Sequence, residues 1–458
     1  MEKRRFVRKT SDGVVLGGLV LLFGYFFLFH EMRELGDSYQ YLHQFVSREP
    51  VYALLLKGIQ IVFGENYGMP LSFFQNILAV VCTYWLYYRI TEDFSFPPIL
   101  EIGIGAILAS PHILTPLASK TRMIITNSVL TEGVAFSLYY LWAGIMLSVL
   151  LNKRTKKQPM EMIISLLLSL MLSMIRGQMM ICLIVWCMVC IYITIRNRQY
   201  KRIALILLGV LLCFVGKTQL TKSYNLKESG IYVNTVSGNP MMLANALYLA
   251  EIEDGEGIKD PKLKTAYENM IIQVKEQKLS IEHGEGNIIE KAKFHEYGHE
   301  TINFDIIVPN LNGYIKEKDG IDESQYSLLL VKQDEYAKDI FKAILPHILP
   351  AYLQNYFVIS SLGLVRSVAV ELAFLPLFAC TMYILAIGLS VYLFWKNSRS
   401  EGANFMFFIL LCIAGTVFGT SLMIQCISRY MLYNLPLFYI AGLVMVLEVF
   451  REKAKSKG

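Results

Sequence analysis

Of the chain's 458 residues, 54% are hydrophobic and only 17% charged, where soluble proteins carry about a quarter charged residues; this excludes an ordinary soluble globular protein and points to a chain that lives in lipid. The formal charge of +6 is unevenly spread, with basic residues in short connecting segments and acidic ones in a single long segment, and no nucleic-acid partner is expected. The eight cysteines, Cys82, Cys182, Cys187, Cys190, Cys213, Cys380, Cys412 and Cys426, lie in or beside apolar stretches and read as small core residues.

Crossing about 30 Å of hydrocarbon takes roughly 20 apolar residues. Such runs occur near 13–30, 70–90, 98–118, 127–151, 160–175, 178–195, 203–219, 368–395, 404–424 and 430–449, which predicts ten spans. The first follows Lys3, Arg4, Arg5, Arg8 and Lys9 and has no small-residue cleavage site before His30 and Glu31, so a retained anchor is expected. Two shorter apolar stretches, 51–63 and 348–365, are read as helices lying along the outer interface: Lys57 interrupts the first, and counting the second as a span spoils the charge asymmetry.

That asymmetry sets the orientation. With the N-terminus in the cytoplasm, Lys153, Arg154, Lys156 and Lys157, then Arg196, Arg198, Lys201 and Arg202, then Lys396 and Arg399, and the tail Arg451, Lys453, Lys455 and Lys457 all fall on the inner side. Ten spans return the C-terminus there too. A multi-pass protein of the cell membrane is expected, and the short basic start suits a bacterial plasma membrane. The predicted organisation is an N-terminal membrane module (1–220) containing the first outer loop (31–69), an extracytoplasmic domain (221–345), and an interfacial helix followed by a C-terminal membrane module (346–458).

The 221–345 segment holds 21 acidic against 14 basic residues, with apolar and aromatic residues throughout, so it is expected to fold. Helical spacing is evident at 241–253 and 262–279. His295-Glu296-Tyr297-Gly298-His299 matches the H-E-x-x-H zinc pattern, in which two His one turn apart bind the metal. The flanking Lys291, Lys293 and Glu300, with Gly298 inside, favour a solvated loop and a chance match. A divalent metal is not indicated, and no cofactor is required.

Polar groups gather instead at the outer ends of several spans: Asp37, Lys120, Arg122, Glu132, Arg176 and Arg429. Ionisable residues near lipid are costly and usually face a cavity or a partner. Snorkelling explains a lone Lys or Arg, but outer-face Arg176 and Arg429 run against the positive-inside bias, and a cationic pocket for an anionic lipid head group would explain them. His43 and His347 read as interfacial polar residues, and His112, between Pro111 and Pro116, as marking an irregular helix end.

The run Gly36-Asp37-Ser38-Tyr39 to Tyr41, then Arg48-Glu49-Pro50-Val51-Tyr52 and Phe63-Gly64, resembles the first outer loop of the GT-C glycosyltransferases, in particular the protein O-mannosyltransferase-like (family 39-like) branch. Thr131-Glu132, Ile175-Arg176-Gly177-Gln178, Leu345-Pro346-His347 and Ser428-Arg429-Tyr430 through Pro436 extend the similarity, in order, over most of the membrane body. One departure is Ser38, where many members carry a second acidic residue. The resemblance implies a GT-C-like all-α polytopic fold and transfer of a sugar from a polyprenyl-phosphate donor to a hydroxyl of a glycan, lipid or protein. In that picture Asp37 is the general base, Arg429, Arg176, Lys120 and Arg122 bind the donor phosphate, and Tyr41, Arg48 and Glu132 contact substrate. A phosphate leaving group needs cationic stabilisation rather than a general acid, so one carboxylate suffices, with inversion at the anomeric carbon. The competing readings are a polysaccharide polymerase or ligase with a pyrophosphate-linked donor, and a transporter or flippase for lipid-linked sugars, which would place charges near the bilayer midplane.

Overall fold

A computed structural model describes residues 2–118, 122–151, 157–369 and 375–455. Among these the regular structure is helical, and the only β-type pairing is an isolated bridge between Arg33 and Ser128. The first half contains α1 (Glu2–Phe29), α2 (Ser38–Leu42), α3 (Pro50–Phe63), α4 (Gly68–Asp93), α5 (Pro98–Ala118), α6 (Glu132–Leu151), α7 (Gln158–Ile175), α8 (Ile181–Arg196) and α9 (Lys201–Ser229). Then follow α10 (Gly238–Leu247), α11 (Pro261–Glu276), α12 (Ile288–Thr301), α13 (Val308–Asp319), α14 (Tyr326–Val368), α15 (Leu375–Lys396), α16 (Glu401–Ser421), α17 (Ser428–Met431) and α18 (Leu435–Lys455). Among the described residues ten helical segments are long and apolar enough to cross a membrane, which makes this a multi-pass membrane protein.

The centre of the bundle is α6. It is apolar on every face, and a helix of that kind must be buried on every face; α4, α7, α8 and α16 enclose it. Small residues allow the close approach: a Cβ on Gly144 would stand 2.4 Å from the Trp85 ring of α4. Outer helices show the opposite pattern. Leu21 and Leu28 on α1, Leu211 and Leu212 on α9, and Ile384 and Val391 on α15 are exposed, as suits side chains facing hydrocarbon.

Polar groups divide between the two ends of the bundle. At one end Tyr87 donates to Asp12 (3.2 Å), Arg89 pairs with Glu92 (2.9 Å), and Arg196 reaches Asn404 (3.3 Å). There Glu448 of α18 accepts from Ser400 Oγ (3.0 Å) and the Gly402 amide (2.9 Å), occupying the open N-terminus of α16. The other end holds 30–50, 122–132, 176–180 and 420–434, where the candidate site lies.

A second hydrophobic core is built by α10 to α13 and the first half of α14, around Leu243, Tyr267, Ile271, Ile306 and Ile340. Side-chain caps start two of its helices. Asp260 accepts from the Lys262 and Leu263 amides ahead of Pro261, and Asn287 forms a capping box with Glu290. The helix read over 262–279 is α11, whereas that over 241–253 stops at Leu247 and resumes as a 3-10 turn over Ile252–Gly257.

The largest departure is α14. The interfacial stretch predicted at 348–365 is the end of a continuous helix of 43 residues, about 65 Å long at 1.5 Å per residue, which starts inside the second core. Composition alone puts Glu323–Val368 among the ten qualifying segments, while α18, with Glu448, Arg451 and Glu452 in its final turns, does not qualify. The second half of α14 packs against α16. Tyr356 donates to the Phe418 carbonyl, and Gly363, two turns later, faces Val417. Tyr352, one turn before Tyr356, donates to the Leu422 carbonyl (3.4 Å), so contacts with the end of α16 extend over several turns of α14. His112 also differs from expectation: α5 runs unbroken through Pro111 and Pro116, and His112 is buried between the rings of Phe23 and Phe136.

Candidate functional site

The site is assembled from four connections between helices. After α1, the chain is pinned to the segment before α6: the Arg33 amide donates to the Asn127 carbonyl and the Val129 amide to the Arg33 carbonyl, each at 2.9 Å. Ser38 then locks the turn that carries Asp37. Its fully buried hydroxyl donates to the Val129 carbonyl (2.8 Å) and accepts from the Leu35 amide (2.8 Å). A carboxylate at this buried position would set an anion against the Val129 carbonyl oxygen.

Asp37 is gripped by Arg48 across the loop, Nη2 to Oδ1 at 2.6 Å. Arg48 is aimed by Gln40, whose Oε1 accepts from Arg48 Nε (2.8 Å) and Ser47 Oγ (2.9 Å). The guanidinium also lies 5.1 Å from the Tyr41 ring centre. Tyr41 is buried edge-on against Tyr52, so a ring expected to meet substrate is committed to this scaffold, whereas Tyr39 is exposed. Burial pushes the Tyr41 hydroxyl pKa up, and Arg48 and Arg176 act against it. The next residue, Glu49, stands at the start of α3 without capping it; its side chain pairs instead with Lys217 of α9 at 2.8 Å, anchoring the loop to the membrane body.

The second part centres on Glu132, the first residue of α6. Gly133 follows it because Gln75 fills the space a side chain would need. Arg176, at the α7–α8 junction, donates to Glu132 (2.8 Å) and to Thr131 Oγ1 (3.1 Å), and its Nε donates to Gln178 (3.0 Å). Gln178 in turn donates to Thr420 of α16 (2.8 Å), tying this junction to the far helices. Arg429 brings its Nε within 3.6 Å of the other Glu132 oxygen. Tyr430 lies against both cations, 4.4 Å from the Arg176 guanidinium carbon and 5.1 Å from that of Arg429. Burial disfavours the Arg429 charge, yet Tyr430 and Glu132 outweigh it and hold the guanidinium pKa up. Two cations around one carboxylate leave an excess positive charge, and the Arg429 side chain remains 27% exposed.

The Asp37, Arg48 and Tyr41 group adjoins the Glu132, Arg176 and Arg429 group: Ser38, beside Asp37, donates to the Val129 carbonyl (2.8 Å), and Glu49, beside Arg48, has its Oε1 3.5 Å from where a Cβ on Gly177, beside Arg176, would stand. Arg122 makes no contact with this group among the described residues and lines a separate hollow. Lys120 lies outside the described residues. Tyr430, Gln178 and Glu49 were present in the motifs but unassigned, and Lys217 gave no signal, because it meets Glu49 from 168 positions along the chain.

The H-E-x-x-H segment is not a solvated loop. It forms a buried turn of α12, with His295 stacked on Tyr248 (3.9 Å between ring centres) and bonded to Asn355 (3.1 Å), and His299 on the Met241 carbonyl (3.1 Å). Glu296 points elsewhere and pairs with Arg366. Among the described residues no third His, Cys, Asp or Glu joins them to make a metal set. Burial holds the His299 pKa down to about 4 and lowers that of His295 as well. The unfolded chain, with histidine near 6.5, therefore binds more protons, and stability falls as pH drops from about 6.5 toward 4, by about 3 kcal/mol for His299. Thermal melts in detergent at pH 7.5 and 5 should show the loss, and His299→Gln should reduce the difference between them.

No family model, no curated protein and no solved structure matches this chain.

Proposed function

We propose that the protein is a membrane glycosyltransferase of GT-C type that transfers a sugar from a polyprenyl-phosphate donor to an acceptor hydroxyl, with inversion. The observation that carries this reading is the cluster itself: a partly exposed carboxylate on a loop, paired with Arg48 and held beside the Glu132, Arg176 and Arg429 group. The cluster stands at the ends of α1, α6, α7 and α16, where a lipid head group is met, and not at mid-helix as a transport pathway would require. In this reading both termini are cytoplasmic, the second core is the extracytoplasmic domain, the membrane is a bacterial plasma membrane, and the acceptor is a glycan, lipid or protein.

The chemistry balances with the groups present. The donor phosphodiester carries one negative charge. As its bond to the anomeric carbon breaks, the electron pair stays on the phosphate and adds a second. Arg176 and Arg429 are fixed before that charge develops, which is how preorganised cations lower a barrier. The acceptor oxygen bonds to the opposite face of the anomeric carbon, and its proton passes to Asp37. No metal is needed to balance these charges. Mass spectrometry of lipid extracted from purified protein should reveal a polyprenyl monophosphate, depleted in the Arg176→Ala, Arg429→Ala variant. A pyrophosphate-linked saccharide in its place would favour a polymerase or ligase.

A further inference from the structure

A second cationic hollow, of about 870 Å³, lies where α1 and α5 end, and it shares no lining residue with the Glu132 cluster. Its apolar wall includes Phe29 and Leu117, which are 71% and 77% exposed on helices whose outer faces are apolar. Among the described residues its ionisable lining groups are His30, Glu31, Arg33 and Arg122, so two arginines line it beside one carboxylate. The floor is rigid: buried Asn127 donates to the Phe26 (3.0 Å) and His30 (2.7 Å) carbonyls, closing the last turn of α1.

Arg122 is the informative residue. Its φ of +48° is a left-handed conformation that a bulky L side chain adopts only where the surroundings impose it, and such outliers concentrate at ligand sites. Among the described residues it has no ion pair or hydrogen bond, although it lines a hollow shared with Arg33, whose backbone is bridged to Ser128. The pattern of an uncommitted guanidinium, a net positive hollow and apolar walls matches an amphipathic anion.

We propose that this hollow binds a phosphate-headed membrane lipid, the phosphate on Arg122 and the chain along Phe29 and Leu117. The site is independent of the donor phosphate on Arg176 and Arg429, and its occupancy does not require that the protein transfer sugar.

Native mass spectrometry tests it, with protein released from nanodiscs containing phosphatidylglycerol, polyprenyl phosphate or phosphatidylcholine. Arg122→Gly removes the cation and suits the backbone conformation, so the fold is retained; it should lower retention of the anionic lipid by about tenfold or more, the loss expected for one charge-assisted contact to phosphate. Arg122→Lys should keep most of it, and Arg176→Ala should leave this lipid in place. Whichever of phosphatidylglycerol and polyprenyl phosphate is held more tightly identifies the natural occupant. Retention unaltered in Arg122→Gly, or phosphatidylcholine held as well as the anionic lipids, would overturn the proposal.

Discussion

Asp37→Asn is expected to reduce turnover by roughly 10²- to 10⁴-fold, the usual contribution of a general base, while leaving donor binding intact. Asparagine keeps the shape of the side chain and an oxygen that accepts from Arg48, so the loop held by Gln40, Ser38 and Glu49 has no reason to move. The ion pair itself adds little stability, because the Asp37 side chain is 36% exposed and such pairs are worth at most about 1 kcal/mol. Folding and chemistry are therefore separable at this position. Steady-state transfer and donor-binding measurements on one preparation check it, and near-normal rates would remove Asp37 from the mechanism.

The largest effect on stability is expected at Glu132. Its side chain is 4% exposed and answers two guanidinium groups, that of Arg176 being only 13% exposed. Glu132→Ala leaves those cations facing each other in a poorly solvated place, which should cost about 3–5 kcal/mol. A lowered melting temperature in detergent measures this. Replacing the ion pair by apolar residues, Glu132→Leu with Arg176→Met, should restore much of the stability, because a buried pair gains little over good packing. Donor binding should not return with it. A double variant that bound donor normally would show the pair to be scaffold alone.

How far the sequence predicted these features depends on whether each rests on local or distant contacts. The spans were readable because twenty apolar residues have few other uses, and the two polar ends followed from where Lys, Arg and Asp interrupt them. Asp37, Glu132, Arg176 and Arg429 were readable as sharing one end. That Arg48 grips Asp37, that Tyr430 lies between two arginines, and that Arg122 stands apart depended on how the helix ends pack. Tyr41 shows the same limit, since its place beneath Arg48 is set by Tyr52 on the next helix.

The His295 to His299 turn is the clearest failure of local reading. Its charged neighbours suggested solvent, but the rings are buried by Asn355 and Gln425, which lie 60 and 130 residues further along the chain. The continuous α14 belongs to the same class. A separate interfacial helix was expected over 348–365, yet packing on both cores carries one helix through Pro346 and Pro350.

The most direct measurement is the fate of the donor in liposomes containing purified protein, a polyprenyl-phosphate hexose and an envelope acceptor fraction. The account predicts release of free polyprenyl phosphate and an acceptor linkage of inverted configuration, both lost in Asp37→Asn. A donor left intact by the wild-type protein, or consumed equally by Asp37→Asn, would contradict it.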